Sequence, residues 1–344
     1  MIELTDRQKL VLTLVIHEYI RSAQPIGSQH LVEHYKLDIS SATVRNEMAA
    51  LTEMGYLRQP YTSAGRVPSE EGYRFFVGKL IQDTELPATT RRTISHQFYQ
   101  SRQDVEQWLR LAASVLAHQS RAASLVTAPH PEQSHFKHLE LISIRGRQVL
   151  MVLVLGGGEI HQQLLTMAEP LSQERLTETA SHLTQLFKNV AVEVMSTYTG
   201  QLDPLDKDIF DLAVQEMTRS DTVVSGEIYL DGLSNVLAEP EFSGSDDARR
   251  ALHVLEERSI LDDLLARTVM TSAIGEVQVL IGGEGTWAEL NQSSMVLARY
   301  GMPGLATGTL GVLGPMRMSY GHTISTVRYV AGLLSDLVTG SLGD

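Results

Sequence analysis

The stretch that decides the fold is residues 28–66, SQHLVEHYKLDISSATVRNEMAALTEMGYLRQPYTSAGR. It predicts a short helix, a loop, and a second helix over residues 41–54. Ser40 and Ser41 are the candidate N-caps of the second helix, and Gly55 follows it where helices favour a left-handed residue. Two helices joined in this way are the pattern of a helix-turn-helix.

The second helix separates apolar residues from small and polar ones. Val44, Met48 and Leu51 recur at i, i+4 and i+7 and predict its buried face. A helix in the major groove of DNA needs the opposite kind of face, because short side chains allow close approach while Arg and Asn read guanine and adenine edges. The candidate base-reading residues are Ser41, Ala42, Thr43, Arg45, Asn46 and Ala49.

A basic β-hairpin is predicted directly after this helix, with strands over residues 56–60 and 64–68. Such a hairpin brings arginines to the phosphate backbone. Taken alone, a helix pair is also typical of an ordinary protein surface, and a single arginine is also typical of a charge that contacts only solvent. The combination of helix spacing, Gly55 and a Pro-bounded hairpin favours DNA binding. The candidate backbone-contacting residues of this wing are Arg58, Tyr61, Thr62, Ser63 and Arg66.

Charge is unevenly distributed along the chain. The whole chain has 28 basic and 41 acidic side chains, a formal net charge of −13. Residues 1–80 hold nine of each sign, so the entire acidic excess falls in residues 81–344. An acidic body argues against nonspecific binding of nucleic acid by the bulk of the protein. A neutral head suits a protein that contacts phosphates at one end and relies on dimerisation for affinity.

Composition indicates a globular protein of two or three domains, because 344 residues exceed one ordinary core and 43% are hydrophobic. The chain has no cysteine, which excludes disulfides and thiolate metal sites. Glu3, Asp6, Arg7 and Lys9 interrupt any signal-peptide pattern, and no apolar run reaches the roughly 18–20 residues of a membrane span. We therefore expect a cytoplasmic protein without a membrane partner or cofactor.

Periodicity along the chain predicts an interrupted α/β domain. Thr5 and Gln8 form a capping-box pattern for a first helix. Strand patterns begin near residue 139, a mostly helical block covers residues 172–222, and strand patterns then return. Strands on both sides of a helical block predict one domain with an insertion. The predicted strands are 139–144, 148–155, 159–165, 228–233, 278–283, 294–300 and 307–315, and further helices are predicted over 90–119, 246–270 and 325–339.

Catalytic patterns are not convincing. Glycine clusters at residues 156–158 and 281–285 match neither a P-loop nor a dinucleotide fingerprint and are interpreted as turns. A Pro-containing loop with Glu132 carries three histidines, whose spacing fits no standard zinc site; zinc ligation and solvated loop histidines are the two alternatives. These histidines are His130, His135 and His138. We expect no catalytic residues and no bound metal.

Specific motifs occur near both ends of the chain and between them. The N-terminal ones are SSATVRNEM (40–48), MGYL (54–57), SAGRVP (63–68) and GYR (72–74). The others are GLSN (232–235), PEF (240–242) and GVLGPMRMSY (311–320). In these motifs the chain resembles the HrcA family of bacterial heat-inducible transcription repressors, over nearly its full length.

The resemblance implies an α+β multidomain fold with an N-terminal winged helix-turn-helix, then a GAF-like α/β domain interrupted by an inserted, mainly helical dimerising domain. It implies repression of chaperone operons by a dimer on an inverted-repeat operator, the CIRCE element, with activity promoted by the GroE chaperonin, and no enzymatic activity. The implied domains are 1–85 (DNA-binding), 86–170 (connector helix and first GAF-like part), 171–243 (dimerising) and 244–344 (second GAF-like part).

The dimer surface is predicted on the apolar faces of helices between residues 172 and 222. The alternative is that these side chains form only the core of their own domain. A function of a different class also stays open, a ligand-sensing GAF-like regulatory protein whose winged helix mediates protein contacts. The candidate dimerisation residues are Leu176, Leu183, Leu186 and Phe187.

Overall fold

The computed structural model describes residues 4–80, 85–100, 104–131, 134–156, 159–198, 200–222, 227–242, 246–269, 272–282 and 286–342. The chain has a mixed α/β, multidomain fold, as the sequence predicts. It divides into two compact units. Unit 1 comprises Met1–Thr127, Ile228–Tyr300 and Thr309–Leu334, and unit 2 comprises Ala128–Glu227, Gly301–Gly308 and Ser335–Asp344. None of the described helices is long and apolar enough to cross a lipid bilayer.

Residues 4–80 of unit 1, which we call the head, contain four α-helices and one hairpin. The third helix packs against the first two, and Val11, Leu12, Leu31 and Val44 are among the fully buried residues of the head. A π-helical segment, Phe76–Leu80, continues the fourth helix. The elements are α1 Asp6–Ser22, α2 Ser28–Tyr35, α3 Ser41–Glu53, β1 Leu57–Arg58, β2 Val67–Pro68 and α4 Glu70–Phe75.

The helix ends of the head follow the local signals in the sequence. The Thr5 hydroxyl accepts a hydrogen bond from the Gln8 amide, and the Gln8 side chain accepts one from the Thr5 amide, which confirms the capping box. Ser40 is the N-cap of α3, because its hydroxyl accepts from the Thr43 amide at 3.1 Å. Gly55 has φ +85°, which confirms the left-handed residue predicted after α3.

A five-stranded sheet lies in unit 1 except for residues 301–308, which belong to unit 2. Its strand order is β7-β3-β10-β9-β8, and the pairs β3–β7, β3–β10 and β8–β9 are antiparallel. Strand β10 is buried along its whole length, as expected for the central strand of the sheet. The strands are β3 Ala123–Thr127, β7 Ile228–Asp231, β8 Val277–Ile281, β9 Ser293–Met302 and β10 Ala306–Pro315.

The helices that accompany this sheet come from separate parts of the chain. The helix before β3 packs against both β3 and β7. The Asn235 side-chain amide donates to the carbonyls of Ala117 and Ala122, so the segment after β7 satisfies backbone acceptors at the end of that helix. The helices are α5 Ala88–Gln100, α6 Val105–Ser120, α10 Leu233–Leu237, α11 Asp246–Glu256, α12 Arg258–Thr268 and α13 Tyr320–Leu342.

Unit 2 contains a second, three-stranded antiparallel sheet with three helices. Its strands are β4 Phe136–Arg145, β5 Gln148–Leu155 and β6 Ile160–Thr166, and its helices are α7 Gln173–Phe187, α8 Val192–Ser196 and α9 Pro204–Thr222. The strands confirm the three predicted from residue 139 onward. One face of the sheet joins α7, α8 and α9 in a single core. Because of this shared core, the three strands and the three helices form one compact unit.

Two arginines connect the head to the sheet-bearing part of unit 1. Arg74 Nη2 donates to the carbonyl of Ile281 at 3.0 Å, at the end of β8. Arg317 Nη1 donates to the carbonyl of Ile20 in α1 at 3.4 Å, and its guanidinium is paired with Glu239. Both arginines therefore bond backbone that lies more than 200 residues away in the sequence.

A buried carboxylate, Glu18, connects α1 to α2. It accepts a hydrogen bond from the Tyr35 hydroxyl at 3.1 Å and lies 3.3 Å from His30 Nε2 and 3.8 Å from His34 Nε2. The Arg21 guanidinium lies 3.6 Å away. Burial alone raises the pKa of Glu18. The hydrogen bonds from His30 and Tyr35 and the charges of Arg21 and His34 outweigh burial and lower this pKa below its ordinary value of 4.5.

The lowered pKa of Glu18 predicts an acid-sensitive contribution to stability. A carboxylate with a depressed pKa stabilises the fold above its unfolded pKa, and this stabilisation is lost as the pH falls through the folded value. We expect the unfolding free energy of the wild type to fall more steeply below about pH 4.5 than that of Glu18→Gln. Urea unfolding followed by circular dichroism across the acidic range tests this. Parallel pH profiles for the two proteins would contradict it.

Candidate nucleic-acid interface

The exposed face of α3 carries the predicted base-reading residues. Ala42, Arg45 and Asn46 are exposed, and Ser41, Thr43 and Ala49 are half-buried beside them. Val44, Met48 and Leu51 lie on the other face and are buried, as predicted. Within the described part of the chain Arg45 pairs with no carboxylate. Its guanidinium is thus available to a ligand in front of the helix.

Contacts behind this face hold α3 in place. Arg7 Nε on α1 donates to Glu47 Oε1 on α3 at 2.6 Å, and only 12% of the Glu47 side chain is exposed. The Ser40 and Thr43 hydroxyls also hydrogen-bond to one another at 2.9 Å at the start of the helix. The pairing of Arg7 with Glu47 escaped sequence analysis, since the two residues lie 40 positions apart and neither belongs to a recognisable motif.

The hairpin after α3 is short and its turn is organised by a glutamine. Leu57 pairs with Pro68 and Arg58 with Val67 in an antiparallel register. The Gln59 side-chain amide donates to the carbonyls of Thr62 and Ala64, at 2.9 and 3.1 Å. Tyr61, Thr62 and Ser63 are exposed at the tip of the turn, and Arg58 of β1 is exposed as well. Tyr61 has 62% of its surface exposed.

Arg66 lies differently from the other residues predicted for this hairpin. Its side chain is half-buried, and its Nε donates to the Thr52 hydroxyl at 3.0 Å. Its backbone forms two hydrogen bonds with Ile26, the residue that precedes α2 by two positions. Arg66 therefore connects the hairpin to the end of α3 and to the start of α2.

Gly65 permits this close approach. A β-carbon at position 65 would lie 2.3 Å from the carbonyl oxygen of Ile26. No side chain larger than hydrogen fits there unless the backbone moves. Packing against Ile26 therefore requires the glycine of the SAGR motif, in addition to its role as a turn signal.

The residues predicted for dimerisation do not form a common surface. Leu176, Leu183 and Phe187 are buried in the core of unit 2, where they pack with the sheet and the neighbouring helices. Leu186 is 41% exposed. The amphipathic face of α7 is thus occupied by its own unit, which was the alternative open at the level of sequence.

The other candidate patterns give no site within the described residues. His138 Nε2 lies 2.9 Å from Glu140 Oε1, and nowhere in the described ranges do three or more His, Asp or Glu residues form a group suited to a metal ion. Glu132 lies outside those ranges, as do residues 157–158 and 283–285 of the two glycine clusters.

Comparison with known proteins identifies the family. The family model of the HrcA protein C-terminal domain matches residues 106–324. The heat-inducible transcription repressor HrcA of Roseiflexus castenholzii is 45% identical, with 99% of this chain and 96% of the relative aligned. The repressor of the same name from Chloroflexus aurantiacus is 41% identical over 97% of this chain and 94% of the relative. The chain belongs to the HrcA family. The HrcA family is one of transcription repressors and not of enzymes.

A solved structure shares the fold. The crystal structure of a hypothetical protein at 2.2 Å resolution matches 98% of both chains with a TM-score of 0.59. Its sequence identity to this HrcA-family chain is 23%, so the likeness concerns the fold alone.

The contact between Arg66 and Thr52 generates a prediction about stability. Arg66→Ala removes a half-buried hydrogen bond, so we expect the free energy of unfolding to fall by about 1 kcal/mol. Arg58→Ala is the matched control, since Arg58 is exposed, and it should leave stability unchanged. Urea unfolding measures both. An Arg66→Ala variant as stable as the wild type, with a salt dependence of DNA binding reduced by about one unit, would instead assign Arg66 to a phosphate contact.

Proposed function

We propose that this HrcA-family chain represses chaperone transcription by binding DNA through its head. In this proposal α1, α2 and α3 with the hairpin of β1 and β2 form a winged helix-turn-helix. Helix α3 enters the major groove, and the hairpin lies along the phosphate backbone. The observation that carries the proposal is the exposed face of α3. Ala42 allows close approach to DNA there, and Arg45 and Asn46 supply hydrogen-bonding groups suited to base edges.

The charge distribution supports an operator of two half-sites. Residues 1–80 hold nine basic and nine acidic side chains, so a single head offers few counterion-releasing contacts, and tight binding requires two heads. We propose that the target is an inverted repeat of the CIRCE type bound by a homodimer, since a protein two-fold axis matches a palindrome. Modulation by the GroE chaperonin and a cytoplasmic location are proposed from membership of the family. The sheet of unit 1 is proposed to be the GAF-like domain and unit 2 to be its dimerising insertion.

The outer face of the β4–β6 sheet is the best candidate for the dimer contact. Leu176, Leu183 and Phe187 line the opposite, inner side. One row of cross-strand neighbours on the outer side is wholly apolar, with Leu150 of β5 between Ile142 of β4 and Leu164 of β6, whereas Val152 of β5 lies between Glu140 and Gln162. This outer apolar face consists of Ile142, Ile144, Leu150, Val152, Val154, Ile160 and Leu164.

The outer apolar face is large enough to form the centre of a contact with a second copy of the chain. Ile142, Ile144, Ile160 and Leu164 are between 42% and 58% exposed. From strand spacing and rise, three strands over seven residues cover roughly 300 Å². The largest apolar patch of a typical soluble monomer covers about 300–600 Å² and is often functional. A standard dimer takes about 800 Å² from each partner, so side chains around this face would complete the contact.

Base reading by α3 is tested through specificity. Arg45→Ala or Asn46→Ala should cost about 1–3 kcal/mol of operator binding and relax the preference at one base pair. Arg58→Ala should weaken binding to all sequences and lower the salt dependence by about one unit. The measurement is a titration of labelled inverted-repeat and random duplexes at several salt concentrations. Equal losses of affinity for operator and random DNA in Arg45→Ala would refute base reading. The control is Arg92→Ala, which removes an exposed arginine from α5.

The dimer contact is tested by placing a charge on the outer apolar face. Leu164→Asp should convert a dimer to a monomer at micromolar concentration, because it buries an unpaired carboxylate in the contact. Leu186→Asp, at the exposed end of α7, is the matched control and should remain dimeric. Light scattering measures the mass. If Leu186→Asp is a monomer and Leu164→Asp remains a dimer, the dimer contact lies on α7 and not on the outer apolar face.

A further inference from the structure

The base-reading face proposed for α3 is flanked by two arginines that come from other parts of the head. Arg66 Nε donates to the Thr52 hydroxyl on one flank, and Arg7 Nε donates to Glu47 Oε1 on the other. Successive residues of a helix are rotated by about 100°, so Thr52 and Glu47 lie about 120° and about 100° to opposite sides of Asn46. The hairpin therefore adjoins one flank of α3, and the start of α1 adjoins the other.

The two arginines differ in how much of the side chain reaches solvent. Arg66 is half-buried, whereas 55% of the Arg7 side chain is exposed. The bond to Glu47 uses the Nε–H group of Arg7, and no other hydrogen bond or ion pair of Arg7 occurs among the described residues. The fork of N–H donors on Nη1 and Nη2 therefore remains available. Arg7 can thus keep its bond to Glu47 while it binds a second group.

Glu47 holds the Arg7 guanidinium in place. Only 12% of the Glu47 side chain is exposed, and its Oε1 lies 2.6 Å from Arg7 Nε, so the hydrogen bond is short and charge-assisted. A side chain that is already held in one position loses less conformational entropy when it binds a ligand than a free side chain does. The exposed end of Arg7 is therefore preorganised for binding.

The flank of α3 beside α1 depends on Arg7 for positive charge. Thr43, Glu47 and Ala50 form this flank, and Arg7 is the only cation among the contacts that the structure describes for their side chains. The major groove is about 12 Å wide and a helix with its side chains is at least about 10 Å across, so both flanks of a helix in the groove lie close to phosphates. Without Arg7, the Glu47 carboxylate would repel the phosphates on its side.

We propose that Arg7 binds a backbone phosphate on the border of the major groove opposite the hairpin, and that Glu47 positions Arg7 for this contact. The inference rests on the proposed DNA-binding function. Arg58 of the hairpin serves one border of the groove, and Arg7 serves the other. The free fork of Nη1 and Nη2 suits a phosphate, which arginine binds through two parallel hydrogen bonds. Phosphates carry no sequence information, so the contact strengthens binding to every sequence.

The double variant Arg7→Gln/Glu47→Gln separates a phosphate contact from a purely internal ion pair. It has the same net charge as the wild type, and it leaves no unpaired carboxylate behind, as Arg7→Gln alone would. A labelled inverted-repeat duplex of the CIRCE type and a random duplex are titrated at several salt concentrations. We expect binding to both duplexes to weaken about tenfold and the salt dependence to fall by about one unit, because one phosphate contact is lost.

The matched control is Arg110→Gln/Glu106→Gln, which removes a pair of the same residue types with the same 2.6 Å separation from α6 and should bind as the wild type does. If Arg7→Gln/Glu47→Gln keeps the affinity and salt dependence of the wild type, the pair only packs α1 against α3 and the inference is overturned, while the proposed function stands. If the wild type binds neither duplex, the proposed function and the inference fail together.

A second measurement changes the DNA and leaves the protein intact. Phosphates of the inverted-repeat duplex are replaced one at a time by neutral methylphosphonates. In each half-site we expect a position whose replacement weakens the wild type about tenfold and Arg7→Gln/Glu47→Gln hardly at all, across the major groove from the position that Arg58→Ala makes insensitive. The wild type alone tests the placement. If no phosphate on the border opposite the hairpin is sensitive, Arg7 makes no such contact and the inference is overturned.

Discussion

Two backbone hydrogen bonds between Ile26 and Arg66 hold the hairpin beside the helices of the head, at 2.9 and 2.8 Å. The geometry of the candidate interface depends on them, because they place the hairpin next to α3 without using a side chain. Gly65 is the residue that allows this approach. The Arg66 side chain then bonds Thr52, at the far end of α3 from its N-cap. Helix and hairpin are thus two parts of one surface, with its exposed arginines on the solvent side.

Two arginines connect the head to the rest of unit 1 through backbone acceptors, and the Tyr73 ring of α4 also contacts the Tyr320 ring of α13, with centroids 6.0 Å apart. Arg74 and Arg317 each donate to a carbonyl group, and each is also paired with carboxylates, Arg74 with Glu70 and Arg317 with Glu239. Bonds of this kind are charge-assisted and directional. Tyr73 and Tyr320 are both 1% exposed, so the ring contact adds buried apolar packing to these hydrogen bonds.

Local features of the sequence predicted much of this structure. The capping box of α1, the Ser40 cap, Gly55 and most of the strands depend on residues that lie close to one another in the sequence. Strand β3 was missed, since Ala123–Thr127 has no alternation and is buried on both faces. The predicted helix 246–270 is two helices, which meet at Glu257. The pairing of β3 with β7 and β10 joins residues more than 100 positions apart, and no local pattern carries that information.

The candidate site shows the same division between local and long-range information. The periodicity of α3 separates its buried and exposed faces correctly, because one helix turn determines both. Periodicity also shows that α7 has an apolar face, but it cannot tell whether that face meets the same chain or a second copy. The packing answers this question, because Leu176 and Leu183 contact the sheet of their own chain. The exposed apolar residues lie on the other side of that sheet. In the proposed dimer this outer side would control operator affinity at a distance from any residue that reads a base, because residues 1–80 carry no net charge and a single head would offer few phosphate contacts.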